Sequence, residues 1–343
     1  MLRCDRMKRI NSYEMRNYAQ ISHVRCAATG NLNLIIGENG TGKSTLLKSL
    51  YAAVRSMEEY RRGDDNRSMA DVLANNLCWI FQTNKLGDLV TKGKKESLEF
   101  SIVLNKDLLA YDFTSRASSK IGSVQHPVGN REGNSFFLPA REFLSLQNVI
   151  LKSRDIDKSF GFDNTYYDLA KALRAQPLTV TKYDVSRKRL ADLMDGKVEY
   201  DDRTGKWFYR KGRLRYSIHA TSEGVKKIAI LERLLAGGML TNQSVLFVDE
   251  PEASLHPRAI SVLMEVLDAL ANEYGVQVFI ASHSYFVIKK LRILAMRRKQ
   301  SMPCISLSED GTQYFDLSVG MPDNSIIRES VRLYDEELNE VFG

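Results

Sequence analysis

The sequence predicts an α/β fold: a mixed sheet flanked by helices, preceded by N-terminal antiparallel strands and interrupted by an inserted helical and hairpin subdomain. Three observations carry this. An apolar run, Leu32 to Ile36, leads into the glycine-rich stretch Gly37-Glu38-Asn39-Gly40-Thr41-Gly42-Lys43-Ser44-Thr45, after which Leu46 to Tyr51 continue with helical spacing. A second apolar run, Val245 to Val248, ends in the two acids Asp249 and Glu250. From Thr221 onward strand and helix patterns alternate, as parallel strands joined by crossover helices require.

In order along the chain, residues 8 to 36 alternate polar and apolar side chains (Ile10, Tyr13, Tyr18, Ile21, Val24), which suits short antiparallel strands. Beyond the glycine loop and its helix, Arg55 to Asn66 is charged and predicts a solvent-exposed helix end or turn. Val72 to Phe81 is apolar and closes at Gln82, read as a glutamine at a strand end. Residues 97 to 104 alternate as a strand, Arg116 to Asn134 reads as a loop, and Phe136-Phe137-Leu138 is a short strand ending at Pro139-Ala140-Arg141.

From Glu142 to Tyr216 the character changes to short helical patterns (Phe143, Leu146, Val149, Ile150; Tyr167, Leu169, Leu173). These are followed by a hairpin, Lys197 to Tyr216, turning at Asp201 to Gly205. Residues 142–216 therefore read as an insertion between two parts of one core, 1–141 and 217–343, and as separable from the core's chemistry. The core resumes with a helix from Val225 to Ala236 closing at Gly237-Gly238, the strand Ser244 to Val248, a helix from Ile260 to Glu273 and the strand Val276 to Ala281. A basic amphipathic helix (Phe286 to Lys299), a hairpin around Glu309-Asp310-Gly311 and a helix from Ser325 to Phe342 complete the chain.

Composition narrows the function classes. With 343 residues, 43% hydrophobic and 27% charged, the chain can bury a full core and is not disordered. A net charge of +7 permits an anionic partner without marking a nucleic-acid coat. Cys4, Cys26, Cys78 and Cys304 form no C-x-x-C pair, and the histidines do not join them at metal-ligand spacing, which fits a reducing, cytoplasmic compartment. No apolar run approaches the roughly 18 residues a membrane span needs, so neither export nor a membrane is expected.

The glycine stretch has the form G-x-x-x-x-G-K-[ST] between a strand and a helix, the arrangement in which backbone N–H groups and a helix N-terminus cradle phosphate. Gly37, Asn39, Gly40, Gly42, Lys43, Ser44 and Thr45 are thus expected to bind ATP. Lys43 would reach the β- and γ-phosphates, and the Ser44 hydroxyl would ligate Mg²⁺. A buried strand ending in Asp249-Glu250 supplies acids that are costly without a cation or a water to act on. Asp249 is assigned to the Mg²⁺ shell, and Glu250 to positioning and deprotonating the attacking water.

Together these stretches resemble the ABC-type ATPases, within them the branch that holds SMC-like and OLD-like (overcoming lysogenization defect) proteins, over residues 8 to 343. The resemblance implies that Gln82 is the loop glutamine, contacting nucleotide and Mg²⁺. It makes Thr221-Ser222-Glu223-Gly224-Val225-Lys226-Lys227 the signature motif, with Ser222 and Gly224 as contacts. Glu252-Ala253-Ser254-Leu255-His256-Pro257 becomes the D-loop, and His283 a catalytic switch that senses the γ-phosphate. It also implies a head-to-tail homodimer with two ATP molecules sandwiched between signature and phosphate loop. Glu223 departs from the small residue usual in the signature. His256 reads equally as a helix cap, and Arg141 as a structural ion-pair partner.

About 60 residues follow His283, too few for the Toprim nuclease domain of OLD-like nucleases, and the acids Asp335, Glu336, Glu337 and Glu340 read as a solvated helix face. The chain is accordingly read as the sensor or motor subunit of a bacterial antiphage defence system, acting with a separate effector such as a nuclease or toxin. A DNA-repair or chromosome-maintenance ATPase and a transporter ATPase subunit are the alternatives. Residues 182 to 215 carry eleven Lys/Arg against six Asp/Glu, interleaved with Trp207, Phe208 and Tyr209, so nucleic acid is a further candidate partner.

Overall fold

The computed structural model describes residues 9–127, 129 and 131–342, so Cys4 lies outside the described residues. β1 (Ile10–Tyr18) and β2 (Ile21–Cys26) pair antiparallel around a tight turn. β3 (Leu32–Gly37), buried along its length, enters α1 (Lys43–Glu59), which is followed by α2 (Met69–Phe81). Next come β4 (Leu98–Leu104), β5 (Asp107–Phe113), β6 (Val124–Gln125) and β7 (Phe136–Leu138). The middle segment holds α3 (Gln147–Asp155), α4 (Asn164–Ala172), α5 (Asp184–Met194) and the strands β8 (Lys197–Asp201), β9 (Lys206–Lys211) and β10 (Leu214–Ser217). Then follow α6 (Glu223–Ala236), β11 (Val245–Asp249), α7 (Pro257–Asn272), β12 (Gln277–Ser282), α8 (Tyr285–Arg298), β13 (Pro303–Ser308), β14 (Gly311–Asp316) and α9 (Ser325–Phe342).

Among the described residues the strands form three sheets. The central one has the order β14-β13-β3-β12-β11-β7, parallel from β13 to β7 with β14 antiparallel at one edge. An antiparallel sheet, β2-β1-β4-β5-β6, covers the N-terminal side, and β10-β9-β8 form a small meander. Alternation along the central strands divides the interior in two. Leu34, Ile36, Leu246, Val248, Val278 and Ile280 face α6, α7 and α8. Ile35, Val245, Phe247, Phe279, Ala281 and Ile305 face α1, α2 and the antiparallel sheet. The fold class read from the sequence is the one observed.

Four local expectations change. Arg55 to Asn66 is not one exposed turn: α1 continues to Glu59, and Glu58 is fully buried against Arg131 and Ser135, partners 73 and 77 residues away that local composition does not reveal. Gln82 sits at the C-cap of a helix, not at a strand end, with left-handed backbone (φ 52°). The hairpin at 197–216 has a third strand, β10, because Gly212 turns the chain back (φ 56°). Its Trp207 is 3% exposed and donates from Nε1 to Gln147 Oε1 at 2.7 Å, so this ring offers no stacking face. Several of the meander's cations are already answered within it: Arg215 pairs with Asp201 (2.8 Å) and lies over the Phe208 ring, and Lys211 pairs with Asp195.

Residues 142–216 share one apolar interior with the second half of the chain. Leu169, Leu173, Tyr183, Leu190, Met194, Val198 and Trp207 belong to the same cluster as Ile228, Leu231, Leu246 and Leu267. Deleting the segment would strip this cluster and expose the apolar faces of α6 and α7. No helix among the described residues is long and apolar enough to cross a membrane.

Candidate active site

The C-terminal ends of β3, β11 and β12 meet on one edge of the central sheet. There the loop Gly37–Gly42 turns into α1. Gly37 (φ 153°) is irreplaceable for space, since a Cβ would lie 2.4 Å from the Leu307 carbonyl oxygen. At Gly42 (φ 99°) a Cβ would lie 2.6 Å from Ile21 Cγ1, so the β1–β2 turn closes over the loop. Gly40 has open space around it and is required by its backbone alone (φ 84°). Asn39 is exposed at the loop's tip, and Ser44 and Thr45 occupy the first turn of α1. Lys43 is 6% exposed and donates from Nζ to the carbonyls of Gly37 (2.8 Å) and Glu38 (2.7 Å). Burial lowers its pKa, and the charges of Glu250 and Asp249 oppose that shift.

Asp249 ends β11 and is 6% exposed. The nearby Ser44 hydroxyl favours the charged form of its carboxylate, while its Oδ1 has no hydrogen-bond partner among the described residues. Burial, assisted by the neighbouring charge of Glu250, pushes its pKa up to about 6. A buried carboxylate with a free oxygen beside a hydroxyl on a helix N-terminus fits a hard divalent cation, so Ser44 and Asp249 suit Mg²⁺.

Glu250 follows in left-handed backbone (φ 45°), its N–H donating to the Ala281 carbonyl (2.9 Å). Its Oε1 lies 3.5 Å from His283 Nδ1. Glu252 organises the histidine's loop: its Oε1 accepts from Ser282 Oγ (2.8 Å) and from the His283 N–H (3.1 Å) and lies 3.6 Å from His283 Nδ1. Lys227, on α6, donates from Nζ to the carbonyl oxygens of Ala140 (3.0 Å) and Glu250. Burial pushes its pKa down to about 8 against the charges of Glu252, Asp249 and Glu250.

Lys43, Ser44, Asp249, Glu250 and His283 therefore converge. Gln82 reaches the site only through intermediaries. With its amide oxygen toward them it accepts from the N–H groups of Asp163 (3.0 Å) and Phe162 (3.2 Å), and the Asp163 carboxylate holds Lys48 of α1 at 2.7 Å. Ser222 caps α6, its Oγ accepting from the Val225 N–H (3.4 Å), and is exposed. Gly224 packs on the D-loop, where a Cβ would lie 2.7 Å from the Ser254 carbonyl oxygen. His256 is the N-cap of α7, its Nδ1 accepting from the Arg258 N–H (3.2 Å), with Pro257 at the first position. Arg141 is not the ion-pair partner expected: it is exposed and forms no salt bridge among the described residues, while the adjacent Glu142 pairs with Lys226. Lys227 and Glu252 enter the sequence reading only as members of the signature and D-loop stretches, with no individual role, and Asp163 does not enter it. Glu252 had a signal in the repeated acid of D-E-P-E; the other two act through contacts that no local pattern encodes.

Residues 32–289 match the family described as "AAA domain, putative AbiEii toxin, Type IV TA system". The chain belongs to this family. No curated protein matches it in sequence. Among solved structures it is similar to an SMC head bound to the C-winged helix domain of ScpA, at 12% identity over 90% of this chain and 98% of that chain, with a TM-score of 0.57. It is also similar to an SMC head domain with an extended coiled coil bound to the C-terminal domain of ScpA derived from Pyrococcus furiosus. There the identity is 11% over 96% of this chain and 99% of that chain, with a TM-score of 0.52. At such identities the likeness is one of fold: this AAA-domain chain has the fold of the SMC heads.

Proposed function

We propose that this AAA-domain protein binds and hydrolyses ATP with Mg²⁺ as a head-to-tail homodimer and serves as the sensor or motor subunit of a bacterial antiphage defence system with a separate effector. The observation that carries the catalytic part is the convergence of Lys43, Ser44, the unpartnered Asp249 Oδ1, Glu250 and His283 at one sheet edge. Bound Mg²⁺ would compensate the charge of the β- and γ-phosphate oxygens. Lys43 leaves its two loop carbonyls for phosphate oxygens, Glu250 takes a proton from the attacking water at its carboxylate, and His283, steadied by Glu252, hydrogen-bonds the γ-phosphate. Ser222 is exposed on its own subunit and Gly224, half-buried against Ser254, lies two residues on, which leaves the N-terminus of α6 free to meet ATP held by a second copy.

The family description, with its toxin–antitoxin system, supports the defence context. The chromosome-maintenance alternative draws on the likeness to SMC heads, but the segment at 142–216 holds helices of 9, 9 and 11 residues, not the start of a long arm. Phosphate release and ATP binding test the catalytic part: Lys43→Ala should lose both, and Glu250→Gln should retain binding and lose release. Normal hydrolysis by Glu250→Gln would remove Glu250 from its role. The effector is tested by pull-down with the products of adjacent genes; a chain that by itself cuts DNA or RNA would overturn the division of labour.

A further inference from the structure

Lys227 lies about one and a half turns into α6 from Ser222. Three carboxylates surround its ammonium, yet the hydrogen bonds it makes go to main-chain oxygens, those of Ala140 and Glu250. Its stem runs through an apolar lining of Leu138, Pro139, Ile230, Leu231, Val248 and Pro251. Glu250 is a non-glycine residue in left-handed backbone, a conformation that persists only where its surroundings over-determine it. Three anchors do so. On one side the Glu250 N–H is tied to Ala281 on β12; on the other the Glu250 carbonyl accepts from the Ala253 N–H (3.1 Å) of its own turn and from Lys227 on α6.

We propose that Lys227 is a positioning residue that aims the Glu250 carboxylate from α6, so that engagement of the exposed Ser222–Gly224 turn is felt at the group that prepares water. The Gly224 backbone, packed against Ser254, gives α6 a second hold on the same loop. The inference rests on Glu250 acting as the base. A shift of α6 along its axis moves the ammonium and hence the Glu250 peptide, while the phosphate loop, held by β3 and α1, stays in place. Hydrolysis and ATP affinity should therefore respond differently.

Steady-state phosphate release and ATP titration on the full chain, with Mg²⁺, test this in Lys227→Met, Lys227→Gln and Glu250→Gln. Methionine matches the apolar lining and removes both donated hydrogen bonds; glutamine keeps one donor group. The expected result is a kcat lowered about tenfold or more in Lys227→Met, with KM for ATP within about threefold and melting little changed, and a kcat in Lys227→Gln above that of Lys227→Met. A packing role predicts the reverse order, so Lys227→Met equal to or faster than Lys227→Gln overturns the proposal. A change confined to KM does so as well. Should Lys227→Met fail to fold, a wild-type kcat in Lys227→Gln overturns it, and a lowered kcat at unchanged KM supports it. If Glu250→Gln hydrolyses normally, the base assignment fails; if it is inactive and Lys227→Met is fully active, only the role of Lys227 fails.

Discussion

Lys48 Nζ lies 2.7 Å from Asp163 Oδ2 across 115 residues of sequence, joining the phosphate-loop helix to the first turn of α4. Asp163 also caps α4, accepting from the Thr165 N–H at 2.8 Å, and its own N–H is within reach of Gln82. Asp163→Ala removes the cap and leaves Lys48 without its acid, a loss of roughly 1–3 kcal/mol. Asp163→Asn keeps the cap and should lose about 1 kcal/mol or less. Urea unfolding of the two variants measures the difference, and equal losses would show that the cap is immaterial and the lost charge accounts for the whole effect.

The buried Glu58–Arg131 pair predicts a second stability effect. Arg131→Met leaves the fully buried Glu58 carboxylate with Arg55, 3.6 Å away, as its remaining cation and should cost up to about 3 kcal/mol. Glu58→Gln added to it removes the charge while retaining an acceptor for the Ser135 N–H, which Glu58 Oε2 holds at 3.1 Å, and should restore most of the loss. A double variant no more stable than the single one would contradict this account.

Asp249 makes stability depend on pH in nucleotide-free protein kept in chelator. Its folded pKa, about 6, is above the unfolded value of 3.8, so its contribution is fully present below the unfolded pKa and is lost as pH rises through 6. The groups facing it include Ser44, Glu250, Lys48, Lys227, Lys43 and Tyr166. Asp249→Asn escapes this loss and should be more stable than the parent by on the order of 2–3 kcal/mol at pH 7.5, with the gap closing toward pH 4. Melting curves across pH read it; a gap that does not change with pH would refute the assignment.

Ser222→Arg places bulk and charge on the exposed N-terminus of α6. ATP with Glu250→Gln should drive sedimentation toward a dimer, and adding Ser222→Arg should return it to monomer without loss of ATP binding in the monomer. A dimer unaffected by arginine at this position would exclude the turn from the interface.

The phosphate loop and Asp249-Glu250 were legible because each is a contiguous pattern whose chemistry follows from its own residues, as with Gly37 and Gly42, where backbone sign and space leave no other choice. From α6 to β12 the order of helices and strands was legible from apolar periodicity, whereas α2, β5, β6 and β10 were not. What escaped were pairings across long separations: Glu58 with Arg131, Lys48 with Asp163, Lys227 with the Glu250 carbonyl. Charge in a local window says "exposed" unless its partner is known, which is why Arg55 to Glu59 was misplaced. Aromatics in a basic strand likewise suggested a stacking surface until Trp207 proved to point inward.

The shared interior of residues 142–216 and the second half of the chain bears on how such proteins can be recombined. Because Leu169, Leu190 and Trp207 pack with Leu231 and Leu267, and Asp163 and Asp168 are held by Lys48, Tyr51 and Arg55, the segment is not a cassette. A graft from a relative that exchanged only this stretch would bring apolar shapes and acids cut for another α1 and α6. Chimeras should fold only when those two helices travel with it, which confines exchange between relatives to units that include α1 and α6.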